Sequence, residues 1–198
     1  MSEPLHTLTG TCRHSEEIRK SRFLAVAAPV ASAEQALAFL REVGDSAATH
    51  NCWAYRAGQD YRLNDDGEPG GTAGRPILQA IEGQGMDRVV VVVTRWYGGI
   101  KLGAGGLMRA YGGTAAECLR LAERVPIVAM TRLGVHCEFA ELALLKARLK
   151  ELETEIEDEQ FGADGVDLHL RLPDDRVAEA RLLIRDVSRG RSEARRLD

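Results

Sequence analysis

The sequence predicts an α+β protein of two domains, and three features carry that expectation. Residues 88–94 (RVVVVVT) form an unbroken β-branched run, which suits a strand covered on both faces. Stretches with helical spacing alternate with strand-like ones over residues 1–128. After Pro126 the order becomes strand, helix, two strands, helix, strand, the split βαβ arrangement of a ferredoxin-like domain over residues 129–198.

In chain order, LHTLTGTC (5–12) and FLAVAAPV (23–30) read as strands, joined through the charged stretch HSEEIRKSR (14–22). Ser32 and Gln35 fit a capping box, Leu37, Leu40 and Val43 follow at helical spacing, and Gly44 is a stop. HNCWAYRAG (50–58) alternates as a strand does, with YRLN (61–64) as its hairpin partner. DDGEPGGTAGR (65–75) is a loop, and Pro76 opens a short helix, PILQAIE, ended by Gly83. A longer helix is predicted over 107–124. Gly112 and Gly113 inside it point to a neighbouring element packed tightly at that turn. In the last third, the strands are TRLGVHCEF (131–139), TEIEDEQ (154–160), GVDLHLRL (165–172) and SEARRL (192–197). The helices fall at 140–152 and 174–190.

Composition excludes several classes. With 44% hydrophobic and 28% charged residues, the 198-residue chain is that of an ordinary globular protein. Its longest apolar run falls far short of the ~20 residues that span a bilayer. The start, MSEPLHTLTG, lacks the basic and apolar regions of a signal peptide. Cys12, Cys52, Cys118 and Cys137 are widely spaced, which argues for reduced thiols in a cytoplasm rather than a disulfide framework or zinc site. The net charge of -4 lies in the last third, because residues 1–130 hold 14 basic and 14 acidic side chains. The protein is therefore no polybasic nucleic-acid binder overall, although residues 70–116 are locally positive.

Glycine usage gives the sharpest functional signal. Residues 94–113 hold seven of the 20 glycines. Two blocks, GEPGGTAGRP (67–76) and GGIKLGAGG (98–106), each follow a strand-like stretch and run into a helix start. First-turn N–H groups lack internal partners and sit at the positive end of the helix dipole, so they attract anions. The candidate anion-binding set is Gly70, Gly71, Thr72, Gly74 and Arg75 in the first block. In and around the second it is Arg95, Gly98, Gly99, Lys101, Gly103, Gly105, Gly106 and Arg109. The competing reading makes both blocks tight turns where strands and helices pass closely. Neither block matches a P-loop or dinucleotide fingerprint.

Catalytic constellations are weaker. Asp65, Asp66 and Glu68 could hold a hard cation such as Mg²⁺, or could be carboxylates capping their own turn. No other cofactor is expected. His50 and Cys52 share one strand face as a candidate dyad, but no oxyanion donor accompanies them. A phosphotransfer enzyme would set Lys101 on phosphate and Asp66 or Glu68 on metal. The remaining class is a protein–protein adaptor.

The runs DDGEPGGTAGRPIL and VVVVTRWYGGIKLGAGGLMRAY closely resemble the signature of the YigZ/Impact family, and KSRFLA and HNCWAYRAG fit the same pattern. The resemblance covers residues 1 to about 125, and the remainder is similar to the small second domain of bacterial members. It implies an N-terminal α/β domain of the ribosomal-protein second-domain-like superfold, shared with domain four of elongation factor G and with GHMP kinases. It implies a C-terminal domain like domain five of elongation factor G. Eukaryotic members are linked to translational control, acting against activation of a kinase that phosphorylates an initiation factor; they carry an extra N-terminal partner-binding domain that is not expected in this chain, so that specific role does not carry over. For bacterial members the likeness to translation factors implies contact with RNA or the ribosome. Gly70 stands where a serine is common, and Trp96-Tyr97 replace a more usual Tyr-Phe. The ligand expected from all this is a phosphate-bearing one, RNA or the ribosome first, with Trp96 and Tyr97 as a candidate stacking platform. No membrane contact is expected.

Overall fold

The structure is a computed structural model that describes residues 4–197. Residues 1–3, part of the start read above as lacking a signal peptide, lie outside that range. The chain divides into two compact units, residues 1–127 and 128–198.

Unit 1 is built on a five-stranded sheet. Its strands are β2 (Cys12–Ile18), β3 (Ser21–Pro29), β4 (His50–Ala57), β5 (Asp60–Asn64) and β6 (Val89–Trp96), in the order β2-β3-β6-β4-β5 with every pair antiparallel. The valine run is the central strand, and Val89 to Val93 are fully buried. Val90 and Val92 pack with Ala36 of helix α1 (Ala33–Val43) on one face. Val89, Val91 and Val93 pack on the other with α2 (Gly74–Gly83) and α3 (Gly103–Leu121). That two-sided cover explains why the run lacks alternation. Ser32 caps α1 by accepting from the Gln35 amide at 3.3 Å, and the Gln35 side chain reaches back to the Ala31 amide at 2.7 Å. A short ribbon pairs β1 (His6–Leu8) with β7 (Arg124–Pro126).

The differences from the sequence reading are clearest at β2, α2 and α3. The stretch HSEEI is strand β2 rather than a connector. It is an edge strand whose inner face is only half-buried and carries His14 and Glu16 between Cys12 and Ile18, so apolar periodicity could not reveal it. It turns into β3 at Arg19-Lys20, both at positive φ (46° and 64°), a hairpin made without the glycine or asparagine that usually marks one. Helices α2 and α3 start earlier than predicted, at Gly74 and Gly103, so the glycines GAGG form the first turn of α3 instead of preceding it. The tight packing expected at the glycine pair is present at Gly112, where an added Cβ would lie 3.3 Å from Pro76 of α2. At Gly113 the space is open.

Unit 2 runs β8 (Met130–Cys137), α4 (Phe139–Lys150), β9 (Glu155–Phe161), β10 (Val166–Pro173), α5 (Val177–Val187) and β11 (Arg195–Leu197). The sheet order β11-β8-β10-β9, all antiparallel, is the ferredoxin-like arrangement. Leu133, Val135 and Cys137 alternate with outward Arg132 and His136, and Leu145, Leu149, Ala180 and Ile184 of the helices close the core.

Candidate functional site

The first glycine block already holds an anion from its own chain. Beyond β5, Asp65 turns its carboxylate onto the start of α2. Its Oδ2 accepts from the Gly71 amide at 2.8 Å, and its Oδ1 from the amides of Ala73 at 3.0 Å and Gly74 at 2.8 Å. Burial acts to raise the Asp65 pKa, but the three amide donors outweigh it and hold the carboxyl below its ordinary value.

This geometry corrects two expectations. Gly71 and Gly74 have no amide to offer a ligand, and a Cβ at Gly74 would press to 2.9 Å on the backbone of Asn64. The Thr72 hydroxyl donates to the Pro69 carbonyl at 2.6 Å. Gly70 and Arg75 are exposed and stand outside the cleft described below. Asp65, Asp66 and Glu68 do not converge as a cation site either. Asp66 accepts from the Asn51 amide at 2.6 Å, while Glu68 points to Arg95 and Tyr111.

The second block behaves differently. Gly98 is a close-packing glycine: its amide donates to Ser21 Oγ at 3.2 Å, and an added Cβ would collide with the Lys20 backbone. Gly99 is an exposed turn residue at φ +88°. Gly103, Ala104 and Gly105 are exposed in the first turn of α3. Its N-cap Leu102 supplies no side-chain acceptor, and the first turn has no acidic residue. Among the described residues nothing accepts from the amides of Gly103, Ala104 and Gly105. Gly106 packs against Leu102, with an added Cβ 3.0 Å from the leucine Cβ. One helix start is thus stoppered and the other is open.

The open start borders a cleft of about 480 Å³. Glu68 and Pro69 of the first block form one side of it, and Lys101, Gly103 and Ala104 of the second form another. Arg95, His50 and Tyr97 complete it from the ends of β6 and β4. Behind them lies a buried ionic cluster. Arg95 donates from Nη1 to Glu68 Oε1 at 2.7 Å and from Nη2 to Ser21 Oγ at 3.3 Å. Tyr111 donates to the same Glu68 oxygen at 2.7 Å. Arg95 and Glu68 are 5% and 8% exposed, so each depends on the other for compensation. The Arg95 Nε–H is buried without an acceptor, and among the described residues no hydrogen-bond donor reaches Glu68 Oε2, on the cleft side of the carboxylate. Burial also pushes the Tyr111 hydroxyl pKa up, aided by Cys52 and Glu68, so it stays a donor.

His50 faces the same cleft with a fixed tautomer. Its Nδ1 lies 2.7 Å from the Asp66 carbonyl oxygen, which can only accept, so Nδ1 carries the hydrogen and Nε2 of the neutral ring is an acceptor. Nε2 stands 3.7 Å from Glu68 Oε2, too far for a hydrogen bond. The candidate dyad is not assembled. The Cys52 thiol is fully buried and donates to the Asp65 carbonyl at 3.0 Å, and burial pushes its pKa up to about 12, so it is no thiolate nucleophile.

Arg109 is also displaced from the expected set. It lies further along α3 beside Gly105, lining shallow hollows with Ile18 and Arg19 and with Pro76, not the cleft. Trp96 is half-buried: its Nε1 donates to Asp45 at 3.2 Å, and the Arg22 guanidinium covers its ring at 3.8 Å. Tyr97 is 46% exposed, with the Arg95 guanidinium over its ring at 5.4 Å from the centroid. Sequence reasoning missed Ser21 and Tyr111. Glu68 pointed toward them, because a buried carboxylate and a buried tyrosine hydroxyl both need partners.

Together these features define a two-unit α+β protein with an uncapped helix start beside a buried ion pair. The chain belongs to the IMPACT family: residues 19–119 match the Impact N-terminal domain, and residues 135–191 match a domain of unknown function, DUF1949. It is 52% identical to the IMPACT family member in the pol 5′ region of Thermus thermophilus, over 79% of this chain and 86% of that protein. It is 38% identical to IMPACT family member YigZ of Escherichia coli, over 88% and 89%. Protein IMPACT of Mus musculus is 39% identical over 43% of this chain and 29% of its own length. A crystal structure described as that of a hypothetical protein superposes with a TM-score of 0.74 at 35% identity, covering 100% of this chain and 99% of that one.

Proposed function

We propose that unit 1 binds a phosphate-bearing ligand in this cleft, that the ligand is RNA, free or within the ribosome, and that the protein acts in translation or its regulation in the cytoplasm. The observation that carries this reading is the first turn of α3, whose free amides of Gly103 and Ala104 border the cleft beside Lys101. Lys101 and Arg95 face one carboxylate, Glu68, so the lining favours an anion. Tyr97 offers a stacking face at its edge. The family's resemblance to translation factors supports RNA over a free nucleotide. A metal-dependent phosphotransferase is the weaker reading, because the Asp65 and Asp66 carboxylates are taken up by backbone amides. For an adaptor, no comparable surface argument arises.

The test is RNA binding measured across a salt series. Binding should weaken as salt rises, and Lys101→Ala should weaken it further and reduce the log–log slope by about 0.7–0.9, the loss of one phosphate contact. Equal binding by Lys101→Ala and the unsubstituted protein would refute the cleft as the site.

A further inference from the structure

The floor of the cleft poses a chemical question that phosphate binding does not answer. Glu68 Oε2 and His50 Nε2 stand 3.7 Å apart, beyond hydrogen-bond reach of each other; no other side chain donates to this oxygen, and with the ring neutral Nε2 is an acceptor as well. The Glu68 side chain is only 4% exposed and the residue lines the cleft, so this oxygen is an acceptor that no protein group serves and that opens to the cleft. A cationic donor is disfavoured there, because the Arg95 guanidinium already sits 2.7 Å from the other oxygen of Glu68 and Lys101 lines the same space. The missing partner is a neutral donor, and two adjacent acceptors call for two adjacent hydroxyls. They belong to the same ligand whose anionic group meets the α3 amides, since one cleft of about 480 Å³ contains both ends.

We infer that the cleft takes the 3′-terminal ribonucleotide of an RNA strand, its phosphate on the first turn of α3 and Lys101, and its vicinal 2′- and 3′-hydroxyls on Glu68 Oε2 and His50 Nε2. This inference rests on the RNA reading above and deepens it. A terminal unit fits better than an internal one, because an internal ribose has its 3′-oxygen esterified and offers one hydroxyl to two acceptors. The fixed tautomer of His50 makes the recognition specific, since the Asp66 carbonyl holds Nδ1–H and leaves Nε2 as the acceptor. The buried pairing of Glu68 with Arg95 and Tyr111 holds the carboxylate in place without using Oε2.

The experiment varies the ligand first, so that no folding defect enters. A short RNA of one sequence is made with a native 3′ end, with a 2′-deoxy terminal unit, and with a 3′-phosphate. Binding is measured for the intact protein and for Lys101→Ala and His50→Phe. Removing the terminal 2′-hydroxyl should weaken binding about ten- to a hundredfold, the range for one hydrogen bond to a charged group. The 3′-phosphate should weaken it at least as much, and His50→Phe should narrow the difference between native and 2′-deoxy ends. Equal binding of all three ends, still sensitive to salt and to Lys101→Ala, would overturn terminal-ribose recognition while leaving the RNA site intact. Failure of every RNA to bind would overturn both.

Discussion

Removing the Asp65 carboxylate tests the assignment of the first glycine block as a self-filled anion site. In Asp65→Ala the amides of Ala73 and Gly74, both in buried residues, lose their acceptor, while that of exposed Gly71 turns to water. Orphaning a buried donor costs about 1–3 kcal/mol and losing a helix N-cap about 1 kcal/mol, so with overlap the loss should be about 3 kcal/mol. Asp65→Asn keeps one carbonyl oxygen for Ala73 and Gly74 and sets an amide donor against Gly71, so it should lose about 1 kcal/mol. The assay is urea unfolding followed by tryptophan fluorescence, which reports unit 1 because both tryptophans, Trp53 and Trp96, lie in it. The pH dependence has a definite sign. The folded pKa is lowered, so the contribution is fully present above the ordinary carboxylate value and is lost as pH falls through the folded one. The gap between the unsubstituted protein and Asp65→Ala should therefore close in acid and stay constant near neutrality. Stability of Asp65→Ala within about 0.5 kcal/mol of the unsubstituted protein, the scatter of ordinary surface changes, would refute the reasoning.

Three further outcomes follow from named contacts. Gly98→Ala should destabilise unit 1 by about 2–4 kcal/mol, since its Cβ meets rigid backbone at Lys20 and one strand must move; urea midpoints measure it. Arg109→Ala should bind RNA as the unsubstituted protein does, in contrast to Lys101→Ala, because only Lys101 lines the cleft; parallel titrations at one salt concentration decide it. Cys12 should be the first thiol alkylated by iodoacetamide, with a rate rising as pH climbs through about 7. Its hydrogen bond with Cys118, 3.4 Å away, lowers its pKa to that value, and it is half-exposed where the other cysteines are buried. Peptide mapping after brief labelling checks the order.

Strong local patterns were readable in the sequence and tertiary partners were not. The valine run, the Ser32 cap and the order of elements in unit 2 rest on near neighbours, and the structure has each of them. Strand β2 was hidden because its residues alternate in exposure without alternating in polarity, and its turn uses Arg19 and Lys20 at positive φ. The start of α3 was hidden because glycine is a poor helix former, yet a first turn loses less from it than a helix interior does. The cluster at Glu68 gathers Ser21, His50, Arg95 and Tyr111 from four elements. No spacing rule relates residues so far apart in the chain.

The two glycine blocks share one local physics and reach opposite ends, and the difference lies in where carboxylates fall along the chain. The first block directly follows Asp65-Asp66 and contains Glu68, so an acid is within a few residues of its amides and takes them. The second lies within residues 88–116, a stretch without a single Asp or Glu. Any anion for α3 must come from elsewhere in the fold or from outside it. The carboxylate that does approach, Glu68, is held by Arg95 and Tyr111 and lines the cleft opposite the helix start instead of capping it. Arg95 is the counter-charge to the one carboxylate that lines the cleft, and with Tyr111 it holds that carboxylate by Oε1. Converting Arg95 to Leu would release Glu68 toward the α3 amides, closing the second helix start as Asp65 closes the first. Loss of RNA binding with α3 still folded would be the signature of that exchange.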